Sequence, residues 1–155
     1  MTAHALPGGR ATQIPRPEMR PAGWVSVVCL GLLGLGALAG GIALVVRPDG
    51  SVMGFDVAIL AGSPFPDFLV PGLILGGLFG IGSLAVAGIG LRRWHVAPFL
   101  AFGVGIGQVI WIPVQLSIIK EVSFLHPTCY AIGLVIATAS YFWGRATFRG
   151  WIAGI

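Results

Sequence analysis

Four apolar runs without a charged residue constrain this chain more than any other feature of its sequence. They cover residues 24–46, 68–91, 96–119 and 127–143. A helix needs about 20 apolar residues to cross about 30 Å of hydrocarbon; the first three runs are long enough, and the fourth is shorter. Charged residues make up 9% of the chain, against about 25% in soluble domains. The sequence therefore predicts an all-α membrane protein, a bundle of four transmembrane helices.

The segments outside these runs have a different composition. Residues 1–23 are rich in proline, glycine and arginine, which predicts a disordered tail. Residues 24–144 then form the membrane domain, and residues 145–155 form a short basic tail. The connection between the first two runs is the longest, and its apolar middle, residues 52–62, is too short to cross a bilayer. We expect this middle to be either an interfacial helix or a re-entrant segment.

Basic residues are concentrated on one side of the predicted bundle. Seven of the nine lie in the two tails and in the second connection: Arg10, Arg16, Arg20, Arg92, Arg93, Arg145 and Arg149. The positive-inside rule then predicts that both termini lie in the cytoplasm. Trp24, Trp94 and Trp143 fall on the same side, where aromatic side chains anchor helices at the interface. Because topology accounts for the positive charge, no nucleic-acid partner is expected.

Ionisable groups are absent from the interior of all four runs. Proton relays, ion-coupled transporters and voltage sensors need such groups at membrane depth, so these classes are excluded. Cys29 and Cys129 lie in separate runs without the spacing of a metal or redox motif. We therefore expect no metal and no cofactor, and the lipid bilayer is the expected partner.

Glycines recur at four-residue spacing in two of the runs. The second run has Gly72, Gly76 and Gly80, and the third has Gly103 and Gly107. Residues four apart share one helix face, so each set predicts close packing against another backbone. That backbone belongs to the same chain, to another membrane subunit or to a second copy of this chain.

The third run also carries polar side chains on one face. At about 100° per residue, Gln108 and Gln115 lie within about 20° of each other, with Trp111 on the same side. The glycines of this run project from a different side. A helix with two faces unsuited to lipid is expected to be the central helix of the bundle.

Buried amides in hydrocarbon need hydrogen-bond partners. Thr138 and Ser140 in the fourth run and Ser83 in the second are the candidates for Gln108. The favoured interpretation is that this network positions helices. The alternative is that Gln108, Trp111 and Gln115 line a cavity that binds a lipid headgroup or another small polar molecule.

Four further polar residues are expected on the side opposite the basic tails: Asp56, Asp67, Glu121 and His126. They could form a metal or acid–base site of a membrane enzyme. The simpler interpretation is that they are helix caps and solvated turns. Either Ser63 or Asp67 could cap the second helix; with Asp67 as the cap, Pro71 falls in the first turn, where proline is tolerated.

The stretch "SPFPDFLVPGLILGGLFGIGSLAVAG", the following arginine pair and "WIPVQ" resemble a pattern that recurs in small bacterial four-span membrane proteins. The resemblance covers roughly residues 63–135 and contains no catalytic motif. It implies the four-helix architecture and a place in a bacterial cytoplasmic membrane, and it implies no activity. A non-enzymatic structural or accessory role, with lipid or a larger membrane assembly as partner, is the leading expectation; a transport or ligand-binding component is the alternative.

The charge distribution gives a topology that can be tested. Cysteines introduced beside Arg93 and beside Gly50 are expected to react with a membrane-impermeant maleimide from opposite sides of the membrane. The parent chain, which has Cys29 and Cys129, supplies the background signal. Labelling of both introduced positions from the same side would overturn the predicted topology.

Overall fold

All regular structure in the described residues is helical. The computed structural model describes residues 19–118 and 124–153, with four long helices: α1 (Pro21–Val46), α2 (Leu69–Leu91), α3 (Ala97–Ile118) and α4 (Leu125–Ala153). The helices α1, α2 and α3 are each long and apolar enough to cross a membrane. The structure thus confirms an all-α chain with three helices suited to a bilayer, and the fourth span stays a prediction.

Two helix boundaries differ from those predicted. Helix α1 begins at Pro21 rather than at Trp24, because proline is well suited to the first helical position, where its missing N–H is not needed. Helix α4 continues past Trp143 to Ala153, so the segment predicted as a basic tail begins within a helix. Most of the predicted N-terminal tail lies outside the described residues, as do residues 119–123 and 154–155.

The four helices pack mainly as neighbours around a ring, with a weaker direct contact between α1 and α3. Helix α1 packs along α2 and against α4, and α3 packs mainly against α4 and less against α2. In the most apolar 18-residue stretch of each helix, 22% of the residues of α3 are buried, compared with 39% for α1 and 33% for α2. The prediction that the third helix is central was wrong, since a ring gives no helix a central place and α3 uses its glycines differently.

Glycines set the distance between α1 and α2. A Cβ atom at Gly41 would collide with the backbone of Gly76, and one at Gly80 would lie 2.9 Å from the Leu38 Cα. A Cβ at Gly72 would lie 2.8 Å from the Leu44 Cβ. The face predicted from Gly72, Gly76 and Gly80 is thus placed against α1 of the same chain, backbone to backbone.

Helix α3 approaches α4 through a glycine that the spacing pattern did not indicate. A Cβ at Gly105 would lie 2.6 Å from the Ala137 nitrogen, whereas one at Gly103 would meet nothing within 4 Å. Gly107 is half-buried, and a Cβ there would lie 3.8 Å from the Phe79 ring. Within the described part of this chain, Gly105 rather than Gly103 packs α3 against α4, and a packing role for Gly103 stays a prediction.

The two ends of the bundle are built differently. The arginine end, which carries Arg20, Arg92, Arg93, Arg145 and Arg149, is closed by Trp143, which is only 1% exposed. Cβ atoms at Gly23 of α1 and Gly90 of α2 would lie 3.1 and 3.3 Å from the Trp143 ring, so both glycines make room for it. The interface role predicted for Trp143 was wrong, while Trp24 and Trp94 are about half exposed.

The glycine contacts predict which small substitutions the fold tolerates. Gly41→Ala is expected to lower the free energy of unfolding by about 1–3 kcal/mol, because the added methyl group forces α1 away from α2. Gly31→Ala on the same helix meets nothing within 4 Å and should change it by less than about 1 kcal/mol. Unfolding in mixed detergent micelles, followed by circular dichroism, measures both, and equal effects would refute this packing.

Candidate functional site

The connection between α1 and α2 folds over the end of the bundle opposite the arginines, the loop end. We call residues 47–68 the cap. It contains two short 3₁₀ helices, Ser51–Met53 and Val57–Leu60, and Leu60 and Phe68 pack with Leu44 in a buried cluster. The Phe68 N–H donates to the Pro48 carbonyl at 2.9 Å and closes the cap at its base. Residues 52–62 thus contain parts of two short 3₁₀ helices rather than one continuous helix, and Leu60 packs against the helix ends.

The acidic residues of the cap accept hydrogen bonds within their own turns. The Asp56 carboxylate accepts from the Ala58 N–H at 2.8 Å, and that of Asp67 accepts from the Leu69 N–H at 2.9 Å. Asp67 rather than Ser63 thus stands at the start of α2. The Asp49 carboxylate accepts from the Ser51 hydroxyl at 2.7 Å, and this bond, with the Ser51 N–H and the nearby Arg47, lowers the pKa of Asp49.

The structure gives positions for three of the four residues considered for an enzyme site, Asp56, Asp67 and His126. Asp56 and Asp67 serve local turns, Glu121 lies outside the described residues, and His126 lines the cavity described next. In residues 19–118 and 124–153, no group of three or more His, Cys, Asp or Glu side chains is placed to hold a metal ion.

Beneath the cap, the four helices enclose a cavity of about 290 Å³. It lies where the helices diverge towards the loop end: α2 contacts α3 mainly through its last part, Gly82–Leu91, and its middle packs mainly on α1. The middle still meets α3 through the rings of Phe79 and Trp111, whose centroids are 5.8 Å apart. That middle, Ile74–Ile81, is a π-helix, a wider turn that is frequent at functional sites. Most of the lining is apolar and includes Leu33, Ala37, Leu60, Phe65, Leu75 and Ile112.

Helix α3 places its polar face against this cavity. Gln108, Trp111 and Gln115 all line it. Gln108 is 2% exposed, and its Oε1 accepts no hydrogen bond from the described residues; the buried indole nitrogen of Trp111 likewise has no partner among them. An unpaired buried polar atom costs about 1–3 kcal/mol. Gln108 and Trp111 are neighbours one helical turn apart, so a buried acceptor and a buried donor stand close together on one wall.

The partners expected for Gln108 are engaged or placed elsewhere. Thr138 lies on an exposed face of α4. Ser140 is buried, and its hydroxyl donates to the Ser26 hydroxyl at 3.1 Å, which itself donates to the Ala22 carbonyl at 2.9 Å. Ser83 is buried, and its Oγ has no partner in the described part of the chain. The polar contact between helices is therefore Ser26 with Ser140, and the α3 face is separate from it.

Helix α4 contributes two cavity residues that the sequence interpretation did not connect with Gln108. His126 and Cys129 both line the cavity. Gly133, one turn further along α4, faces Gln108: a Cβ there would lie 3.1 Å from the Gln108 Cβ and Cγ. The spacing of these three residues along one helix face was the signal that could have indicated this wall.

The unpaired amide leads to a prediction about stability. Gln108→Met keeps the shape of the side chain and removes no hydrogen bond, so the free energy of unfolding should stay the same or rise by up to about 1–3 kcal/mol. Ser140→Ala removes a bond between helices and should lower it by about 0.6 kcal/mol. Both are measured by detergent unfolding. A clear loss of stability in Gln108→Met would mean that Gln108 is bonded to a neighbouring helix.

Comparisons with protein-family models, with curated proteins and with solved structures find no match to this chain. The candidate function therefore depends on the cavity and on the side chains that line it.

Proposed function

We propose that this chain is a four-span protein of a bacterial cytoplasmic membrane that binds a small neutral amphiphilic molecule in the cavity beneath the cap. The observation that carries the proposal is the pair of unpartnered buried atoms, Gln108 Oε1 and Trp111 Nε1, on the wall of an apolar cavity. A ligand hydroxyl can accept from the indole N–H and donate to the amide oxygen. The cavity thus suits an apolar molecule with one hydroxyl group.

The lining supports a neutral ligand of modest size. Among the described lining residues there is no Asp, Glu, Lys or Arg, and His126 is the one residue there that can carry a positive charge. A lining with so few charged groups favours a neutral ligand. The volume of about 290 Å³ lies at the small end of typical ligand pockets, about 300–1,000 Å³.

The position of Gly36 supports entry from the side of the bundle. Gly36 of α1 lines the cavity, is exposed, and would place a Cβ with nothing within 4 Å. Helices α1 and α4 are joined towards the arginine end by Ser26 with Ser140 and by Trp143 beside Gly23. A molecule dissolved in the bilayer would then enter beside Gly36, on the exposed side of α1, and reach Gln108.

The proposed topology and role extend this interpretation. Helix α4 is 29 residues long and packs along α3, which supports its membership of the membrane bundle. The arginine end lies in the cytoplasm by the positive-inside rule, which puts the cap and the cavity on the outer side. The role is non-enzymatic: the protein holds or delivers a membrane-dissolved molecule.

The cavity can be tested with 4-iodophenol, a small neutral probe with one hydroxyl group, in equilibrium dialysis against the purified protein. Gly36→Leu places a side chain in the opening. It should weaken binding at least roughly tenfold, because the probe can then bury less of its apolar surface. Gly31→Leu on the same helix is the matched control, since its Cβ also meets nothing within 4 Å and it does not line the cavity. Equal binding in the two variants would exclude this cavity.

The hydroxyl-binding pair has a separate test with iodobenzene, which lacks the hydroxyl group. In the parent protein 4-iodophenol should bind roughly fivefold more tightly than iodobenzene, the value of about one hydrogen bond. Gln108→Met should remove most of this preference while leaving the binding of iodobenzene unchanged. If the parent protein shows no preference for 4-iodophenol, Gln108 and Trp111 do not bind the hydroxyl group.

A further inference from the structure

Three arginines lie together at the arginine end, between the beginning of α1 and the end of α4. Arg20 directly precedes α1, and Arg145 and Arg149 are one turn apart on α4; all three line a surface concavity of about 560 Å³. Among the described residues, no carboxylate pairs with any of them. The Arg145 guanidinium lies over the Tyr141 ring, 5.7 Å from its centroid, which directs it along the helix surface.

An apolar groove starts at two of these arginines. It has a volume of about 530 Å³, and Arg145 and Arg149 line it together with aromatic side chains of α3 and α4. Phe102 and Tyr141 form its walls, 40% and 50% exposed. Where α3 begins, the rings of Phe99 and Phe148 meet edge to face across the two helices, with centroids 6.5 Å apart. A basic concavity therefore continues into an aromatic groove along the side of the bundle.

We propose that this surface binds one anionic phospholipid, with its phosphate at Arg145 and Arg149 and an acyl chain in the groove beside Phe102 and Tyr141. Guanidinium groups bind phosphate oxygens in a forked geometry that suits recognition. Basic pockets between membrane helices on the cytoplasmic side are suited to anionic headgroups. Arg20 adds a third positive charge at the headgroup position.

Both the three arginines and the aromatic groove are needed to select an anionic phospholipid. An acidic peptide or a free phosphate would use the arginines and leave the aromatic groove empty. A zwitterionic lipid would fill the groove and gain less from three unpaired guanidinium groups. The proposal rests on the membrane placement given under the proposed function, but not on the cavity beneath the cap, which lies at the opposite end of the bundle.

The same end offers a matched pair of control arginines. Arg92 and Arg93, in the connection between α2 and α3, are exposed and line neither concavity. They contribute the same number of charges and face the same leaflet in the proposed topology. Glu18, which precedes Arg20 in sequence, lies outside the described residues, and Glu18→Gln reports whether its charge competes with the lipid phosphate.

Native mass spectrometry of the detergent-purified full chain, with equimolar dioleoyl phosphatidylglycerol and dioleoyl phosphatidylcholine added, tests the proposal. The parent protein should retain one phosphatidylglycerol preferentially. Arg145→Gln with Arg149→Gln should weaken that binding roughly tenfold to thirtyfold. Arg92→Gln with Arg93→Gln should weaken it by less than about threefold, because only diffuse attraction is lost.

Three results would overturn this assignment: equal losses in the two double variants, equal retention of the two lipids by the parent protein, or phosphate alone displacing the bound lipid. Helical content and detergent unfolding of the Arg145/Arg149 variant show whether it is folded. Binding of 4-iodophenol should be the same in all of these variants. If the Arg145/Arg149 variant loses phosphatidylglycerol but still binds 4-iodophenol, the lipid site is separate from the cavity. If the parent protein binds phosphatidylglycerol but not 4-iodophenol, the lipid site is supported and the cavity is not.

Discussion

The near contact between the backbones of α1 and α2 is the constraint on which the rest of the bundle depends. Gly41 and Gly76 leave no space for a side chain between the two helices. Lipid tails are as apolar as the side chains they replace, so helix association in a membrane depends on such close packing. The middle of α2 is held against α1 and meets α3 mainly through the rings of Phe79 and Trp111, so a space remains under the cap.

The cavity also needs a lid and a wider helix wall, and both come from the segment between α1 and α2. The cap buries Leu60 and Phe68 over the helix ends. Directly after the cap, Pro71 lacks an N–H group, and the π-helical stretch Ile74–Ile81 is rich in glycine. A glycine-rich π-helix brings α2 close to α1 on one side while leaving space on the other, where Leu75 lines the cavity.

Sequence reasoning predicted the features that follow from one helix at a time. Charge-free runs gave the apolar helices, and the spacing of Gly72, Gly76 and Gly80 gave the face that packs on α1. It failed where the answer depends on which helices meet. The faces of a nearly uniform apolar helix have similar sequences, so spacing alone could not distinguish Gly105, which packs on α4, from Gly103, which meets nothing within 4 Å in this chain. The sequence also could not show that Trp143 lies between two glycines of other helices.

The polar face of α3 illustrates the same limit for the site. Helical geometry placed Gln108, Trp111 and Gln115 on one side, and all three line one cavity. Their partners depended on how the four helices are arranged: Ser140 bonds to Ser26 in the closed half of the bundle, while Gln108 lies in the half that is open. Among the described residues, the side-chain hydrogen bond between helices lies in the closed half, although the indole nitrogen of Trp143 there also has no partner. What distinguishes Gln108 and Trp111 is that their unpaired atoms belong to residues that line a cavity, where a bound molecule can supply the missing hydrogen bonds.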